Sequence, residues 1–339
     1  MMPTFSVLVI THNRAETLRE TLLSLVRMTS HEPWEVVVVD NNSDDHTRSV
    51  VSDIARVAPI GIRYVEERRP GKYLGLNTGI KSAAGDFIAC TDDDAFPRPD
   101  WLDRAAEGFT RFGCDFVGGP VYPLWQRSPP SWLDKDSAVH RKVLGLQDHG
   151  PQALEYGRGI SWPLGVNVAY RRRVFESVGW FDARLGRVAG TLRNQAQREW
   201  HLRARAAGAR GFYLPQMAVD HIVAANRLEK QYFRRWSYWH GISRALLCRH
   251  GSLDLEEPES GVAGSGERRL LGLPLSLYPK ALRSARSLVW HSIRRDASAF
   301  EYELWLCFFA GLLRESLPHH RGAGTEPASA RATTIAGSM

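Results

Sequence analysis

Phe87-Ile88-Ala89-Cys90-Thr91-Asp92-Asp93-Asp94 is a short apolar run that ends abruptly in three adjacent carboxylates. Phe87 to Thr91 has the length and nearly continuous apolar character of a strand buried on both faces, rather than the alternation of a half-exposed one. Three strand-like runs precede it. Phe5 to Ile10 is one, Val36 to Val39 is another and ends in Asp40-Asn41-Asn42-Ser43, and Ile62 to Val65 lies in a third. Helical patterns separate them. Leu18, Leu22, Leu25 and Val26 recur at helical spacing after Asn13-Arg14-Ala15-Glu16, which reads as a capping box. A polar helix is predicted over roughly 45–57, and another around 73–84 that stops at Gly85. This alternation implies right-handed crossovers and a mostly parallel sheet covered on both faces, an α/β architecture. Ligands of such sheets bind beyond the carboxyl ends of the strands, so Asp40 and Asp92 to Asp94 are expected on one rim.

Three neighbouring carboxylates at the exit of a buried strand repel one another unless a cation offsets them. Oxygen ligands of this kind suit Mg²⁺ or Mn²⁺, ions that also grip phosphates. Side chains two apart in an extended segment point the same way, so Asp92 and Asp94 can address one ion while Asp93 turns elsewhere. The bland alternative is a solvated acidic turn capping the next helix, for which Pro97, Pro99 and Asp100 are suitable.

The 339 residues carry a formal net charge of +7, which points to anionic partners without separating nucleotides, nucleic acid and acidic lipids. Cys90, Cys114, Cys248 and Cys307 are far apart and show no metal-ligand spacing, as expected of a reduced cytosolic protein. Neither a signal peptide nor an apolar stretch long enough to span a bilayer is visible; the nearest candidate, Tyr302 to Leu313, is short and contains Glu303. The expected location is the cytoplasm, at or near the inner face of the membrane.

Taken in order, VLVITHNRAETL, VVVVDNNSDD, GKYLGLNTGIKSAAGDFIACTDDDAFPRPDWL and GVNVAYRRRVFESVGWFD resemble the family 2 glycosyltransferases of the GT-A fold, over about residues 5–225. Single pieces are modestly specific, but the ordered set is highly so. The resemblance implies a Rossmann-like GT-A domain over 1–225 and transfer of a sugar from a nucleoside-diphosphate sugar to a saccharide or lipid-linked hydroxyl, with inversion and with Mg²⁺ or Mn²⁺. It implies that Thr11, Asn13 and Arg14 line the nucleotide pocket and that Asp40, with Asn42 close by, receives the base. An imide edge needs such an acceptor, hence a lean towards UDP. Lys72 and Asn77 are implied near the diphosphate or sugar, Asp92 and Asp93 on the donor, and Asp92 and Asp94 as the metal-binding DxD element with His221 as a further ligand. Trp162, Gly165 and Asn167 would face the sugar and acceptor. Each has a plainer alternative: Trp162 as core, His221 as a structural histidine, Asp40 and Asn42 as turn formers, Arg14 and Lys72 as surface cations.

One departure concerns the proton acceptor. Counting back from Gly208, the acidic pair usual in inverting relatives falls on Ala196 and Gln197, neither of which can take a proton. Glu199 is the nearest carboxylate and the candidate base. The alternative is a catalytically impaired protein that still binds sugar nucleotide. A nucleotidyltransferase fits less well, because no Gly- and Arg-rich triphosphate loop follows the first strand.

Beyond residue 225 the sequence predicts a helical extension over 226–318: a basic, aromatic helix over 226–250, a linker near 251–268, and a second helical stretch over roughly 270–316. A disordered tail is expected over 319–339. Arg234, Arg235, Arg244, Arg249, Arg283, Arg286, Arg294 and Arg295 interleave with Trp and Leu there, consistent either with an amphipathic surface on an anionic membrane or with a bundle whose arginines face water. No nucleic-acid motif accompanies the charge, and nucleic acid is not an expected partner.

Overall fold

The computed structural model describes residues 4–157, 159–188, 190–249, 268–296 and 298–317. The expected linker near 251–268, but for its last residue, and the tail (319–339) lie outside them. The elements run β1 (Phe5–Thr11), α1 (Ala15–Val26), β2 (Trp34–Asp40), α2 (Thr47–Val57), β3 (Gly61–Glu66), α3 (Lys72–Ser82) and β4 (Phe87–Asp92). Then follow β5 (Ala95–Pro97), α4 (Trp101–Phe112), β6 (Phe116–Gly118), β7 (Val121–Trp125), α5 (Ala138–Leu144), β8 (Leu154–Glu155), β9 (Val168–Arg171) and α6 (Arg172–Val178). The chain continues through α7 (Ala196–Ala206), β10 (Gly211–Tyr213), β11 (Val219–Val223), α8 (Lys230–Arg249), β12 (Arg269–Leu270), β13 (Leu273–Pro274), α9 (Leu277–Ile293) and α10 (Ala299–Ser316).

The main sheet has the order β3-β2-β1-β4-β9-β6-β10-β8. Its first four strands are parallel, and β9 enters antiparallel between β4 and β6. The continuous apolar runs are explained by burial on both faces. Val7, Val9, Val36 and Val38 pack under α1, α2 and α4, while Leu8, Val37, Val39 and Cys90 face α3, α6 and α7. Parallel register sets Thr11 opposite Asp40 and Ile10 opposite Asp92, so the strands end together on one rim. Asp40 and Asp92 stand two strands apart there, roughly 10 Å at ordinary strand spacing. A smaller sheet, β5-β11-β7, crosses this rim and brings His221 to it.

One local expectation fails. The capping box does not form: Arg14 stands at the N-cap without a side-chain cap. The Ala15 N–H instead donates to Asp45 Oδ2 (3.0 Å), and Glu16 accepts from His46 (2.7 Å). A cap reaching over from the next loop has no signature in the local residues. The helical stretch expected over roughly 270–316 is the antiparallel pair α9 and α10, preceded by a short hairpin (β12–β13). Helices α8 and α10 pack closely, since a Cβ at Gly241 would collide with the Phe308 carbonyl and one at Gly311 with that of Tyr238. Phe233, Phe300 and Leu304 join Leu133, Val143 and Val223 in one apolar cluster, tying these helices to the sheet domain.

Candidate active site

Asp92 closes β4, and the next two residues turn towards the small sheet. Asp92, Asp94 and His221 each offer a ligand atom within 4.8 Å of the others. Asp94 is fixed on both sides: Oδ1 lies 3.2 Å from His221 Nε2, Oδ2 accepts from Arg14 at 2.8 Å, and its carbonyl accepts from the Ile222 N–H at 2.9 Å. Burial alone would raise the Asp94 carboxyl, but the His221 hydrogen bond and the charges of His221 and Arg14 outweigh it and hold it below the ordinary carboxylate range. His221 is buried, and its Nδ1 has no hydrogen-bond partner among the described residues. The two carboxylate oxygens suit Mg²⁺ or Mn²⁺, and the imidazole nitrogen, a softer donor, favours Mn²⁺ of the two.

Asp93, in the two-residue turn that follows β4, points away from this group. It is buried, accepts from Thr11 Oγ1 and from Arg14 Nη1 (both 2.8 Å), and its carbonyl takes the Thr21 hydroxyl at 2.9 Å. Burial dominates its environment and raises its carboxyl despite Arg14. Thr11, Arg14 and Asp93 thus form the brace that aims Asp92 and Asp94, and only Arg14, half-exposed, keeps a face towards solvent.

Lys72 opens α3 after Gly71, whose φ of +141° few other residues adopt. Its Nζ lies 2.6 Å from Asp92 Oδ1. Burial would lower this ammonium, but Asp92 prevails and keeps it charged. Tyr73, which the sequence did not mark, is close enough to feel both Lys72 and Asp92. Its ring meets Phe181 edge-on at 5.4 Å, fixing the segment after α6 against α3.

Asp40 is buried at the end of β2. Oδ1 accepts from the Ser43 N–H (2.8 Å) and Oδ2 from the Tyr64 hydroxyl (2.7 Å); burial and that bond raise the Tyr64 phenol. Asn42 takes a left-handed φ of 66° and is exposed, whereas its neighbour Asn41 does the structural work. The Asn41 amide donates to the carbonyls of Glu67 (3.0 Å) and Arg69 (2.7 Å), and its oxygen accepts from Gly71 N (2.7 Å). This side chain, with Glu67 accepting from Thr78 Oγ1, ties down the loop that presents Lys72. Asn13 links the first two rim loops, its N–H donating to Ser43 Oγ (2.9 Å) and its Oδ1 accepting from Asp44 N (2.8 Å).

Four residues implied by the resemblance are engaged elsewhere. Asn77 spends its amide on Phe181, donating to its carbonyl (2.9 Å) and accepting from its N–H (3.1 Å), a clamp rather than a donor contact. Asn167 is fully buried, accepting from Trp101 Nε1 (2.8 Å) and donating to the carbonyls of Pro120 and Met217. Trp162 belongs to the core, stacked on His201 with ring planes 2° apart at 5.2 Å. Glu199 gives both oxygens to Arg203 (2.6 and 3.0 Å), which is itself anchored to the carbonyl of Trp180 (2.8 Å). Glu199 therefore joins α7, through Arg203, to the segment after α6. Gly165 does approach the expected base position: a Cβ there would stand 3.0 Å from Gln197 Oε1, and Gln197 donates to the Tyr170 hydroxyl at 3.1 Å. An amide occupies that position.

Comparison with known proteins bears on the family and the fold. Residues 6–179 match the profile of glycosyl transferase family 2. The chain is 27% identical over 256 residues to a glucosyl-dolichyl phosphate glucuronosyltransferase of Haloferax volcanii, covering 71% of this chain and 76% of that protein. It is 28% identical over 266 residues to the glycosyltransferase YwdF of Bacillus subtilis, covering 75% and 90%. Among solved structures, a mannosyltransferase from Pyrobaculum calidifontis in complex with GDP-Man and Mn²⁺ superposes with a TM-score of 0.56 at 20% identity, over 93% of this chain and 87% of that one. At that identity the likeness speaks for the fold. With the family profile spanning more than half of its length, this chain belongs to glycosyl transferase family 2 and is a glycosyltransferase of the GT-A fold.

Proposed function

We propose that this glycosyltransferase uses a nucleoside-diphosphate sugar, UDP-linked by preference, and transfers the sugar with inversion to a hydroxyl of a saccharide or lipid-linked acceptor. The observation that carries the reading is the convergence of Asp92, Asp94 and His221 where β4 leaves the sheet, with Lys72 beside them. Asp92, Asp94 and His221 would hold Mg²⁺ or Mn²⁺, which when bound supplies positive charge to a departing diphosphate. Lys72 adds charge from the protein at the same place, and Arg14 keeps Asp94 aimed. Asp40, about 10 Å along the rim, lies within reach of a base whose diphosphate rests at Asp92, and its carboxylate is a natural acceptor for an imide N–H. The lipid-linked class of acceptor is supported by the name of the Haloferax relative.

The test is calorimetry and transfer with purified protein and a panel of UDP-, GDP- and dTDP-sugars, with and without Mn²⁺. The expected result is metal-dependent binding that favours UDP, followed by release of nucleoside diphosphate once an acceptor is present. Absence of any sugar-nucleotide binding in Mn²⁺ overturns the reading. Binding without turnover favours the second reading, a pocket that has lost its chemistry, for which the amide at Gln197 and the Arg203-bound Glu199 are the specific observations.

A further inference from the structure

The cationic C-terminal region divides into two unlike parts. Arg234 on α8 pairs with Glu303 at 2.6 Å and Arg249 with Glu315 at 2.9 Å, so these two serve the α8–α10 packing, and Arg244 is buried. Helix α9 is different. Its inner face, with Leu277, Ser284, Tyr278 and His291, lies on α10. On the opposite side Leu282, Val289, Trp290 and Ile293 are 67, 60, 54 and 76% exposed. At 100° per residue, positions i, i+7, i+8 and i+11 form one stripe along the helix. Residues 268–296 contain seven Lys and Arg but a single carboxylate, Asp296, which accounts for nearly all of the chain's excess of +7. Arg283 borders the stripe and Arg286 interrupts it from within, both exposed, and the Arg294 guanidinium lies 4.1 Å over the Trp290 ring.

We propose that this face of α9 is a docking surface for an anionic lipid bilayer, with the helix lying in the plane of the headgroups. The charge pattern selects the occupant. A nucleic acid would meet the arginines but gains nothing from Leu282 or Ile293, and a second copy of the chain would bring its own like-charged face. A bilayer with acidic headgroups satisfies both halves: the apolar stripe enters the acyl boundary, the arginines reach phosphates, and Trp290 sits at the level between them. No described helix is long and apolar enough to cross a membrane, so the contact is superficial. Seventeen residues give a contact about 25 Å long. This surface makes no use of the donor site, and the two can be tested apart.

The experiment is flotation of the full chain with vesicles of phosphatidylcholine alone or mixed with phosphatidylglycerol, without donor or Mn²⁺. The chain is expected to float with the mixed vesicles only, and to release in high salt. Leu282→Glu combined with Ile293→Glu should abolish flotation while leaving the circular dichroism and melting curve unchanged, because both side chains are exposed. Arg283→Ala with Arg286→Ala should weaken partitioning roughly thirtyfold, each cation near an anionic surface contributing about fivefold. Equal flotation with neutral vesicles, or full flotation of the double Glu variant, overturns the proposal. So does a dimer in lipid-free buffer that Leu282→Glu dissociates, since the stripe would then belong to a second copy.

Discussion

Replacing Asp94 by Asn tests the core of the functional reading with little change of shape. The backbone around the residue stays tied, because Ile222 N still donates to its carbonyl and Thr21 still holds the carbonyl of Asp93. What goes is the charge that faces His221 at 3.2 Å and Arg14 at 2.8 Å. Arg14 keeps Asp93, so the loss is that of charge-assisted bonds becoming neutral ones, about 1–3 kcal/mol of stability. Divalent binding should suffer more. Outer partners of metal ligands are worth roughly 10–100-fold in affinity, so loss of one of two anionic ligands is expected to exceed about a hundredfold. At a concentration of Mn²⁺ and UDP about 100 times the dissociation constant, the unaltered chain gains about 2.7 kcal/mol, and a hundredfold weaker variant only about 0.4 kcal/mol. At roughly 2 °C per kcal/mol for a chain of this size, scanning fluorimetry should show a rise of about 5 °C in the first case and about 1 °C in the second. Glu107→Ala, exposed on α4, is the control and should keep the full rise. A full ligand-dependent rise in Asp94→Asn would refute the placement of the cation.

Lys72→Ala removes the cation that neutralises Asp92, so Mn²⁺ alone should bind at least as well while UDP binding in Mn²⁺ weakens; calorimetry separates the two, and an equal loss of both would show Lys72 to be merely structural. Asn77→Ala breaks two bonds to Phe181 and should lower stability by about 1–3 kcal/mol with the UDP affinity unchanged; a large rise in the dissociation constant at constant melting temperature would restore it to the donor site. Glu199→Gln should keep kcat within about tenfold, whereas a general base would cost 10²–10⁴-fold and take the acidic limb of the pH profile with it. His201 is fully buried, and burial pushes its imidazole down to about 3 from an ordinary 6.5. Only the unfolded chain then takes up the proton between those values, so stability is complete above pH 6.5 and falls as pH drops, by up to about 1.4 kcal/mol per unit. His201→Phe, which retains the stack on Trp162, should flatten the urea-midpoint curve between pH 6.5 and 3; an unchanged slope would mean that the imidazole is not the titrating group.

The strands and the rim were legible because burial on both faces of a parallel sheet leaves a plain mark, an unbroken apolar run ending in polar residues. The grouping of Asp92 with Asp94 was expected from the two-residue period of extended chain, but Asp93 and Asp94 lie in a turn beyond β4, and it is that turn, with Arg14 and His221 as partners, that sets their directions. The partners of these groups left no such mark. Asn41 and Asn42 look interchangeable in DNNSDD, yet one carries the loop to Lys72 and the other takes a left-handed turn in solvent. Asn77 and Asn167 sit in segments the family resemblance assigns to ligand, but an amide can satisfy donors and acceptors of the protein equally well, and here it does so. Glu199 looked available until Arg203, one helical turn on, proved to hold both its oxygens.

Local order along the chain, then, was enough for the α/β class, the acidic rim and the cationic helices, since each depends on periodicity or on charge within a few residues. Which cation meets which carboxylate, which tryptophan is core, and which face of α9 is left bare depend on contacts between segments tens to more than a hundred residues apart. Asp94 and His221 are the plainest case: 127 positions separate them in number. They meet only because β11 pairs against β5 at the edge of a second sheet, a packing outcome that no short stretch of either segment encodes.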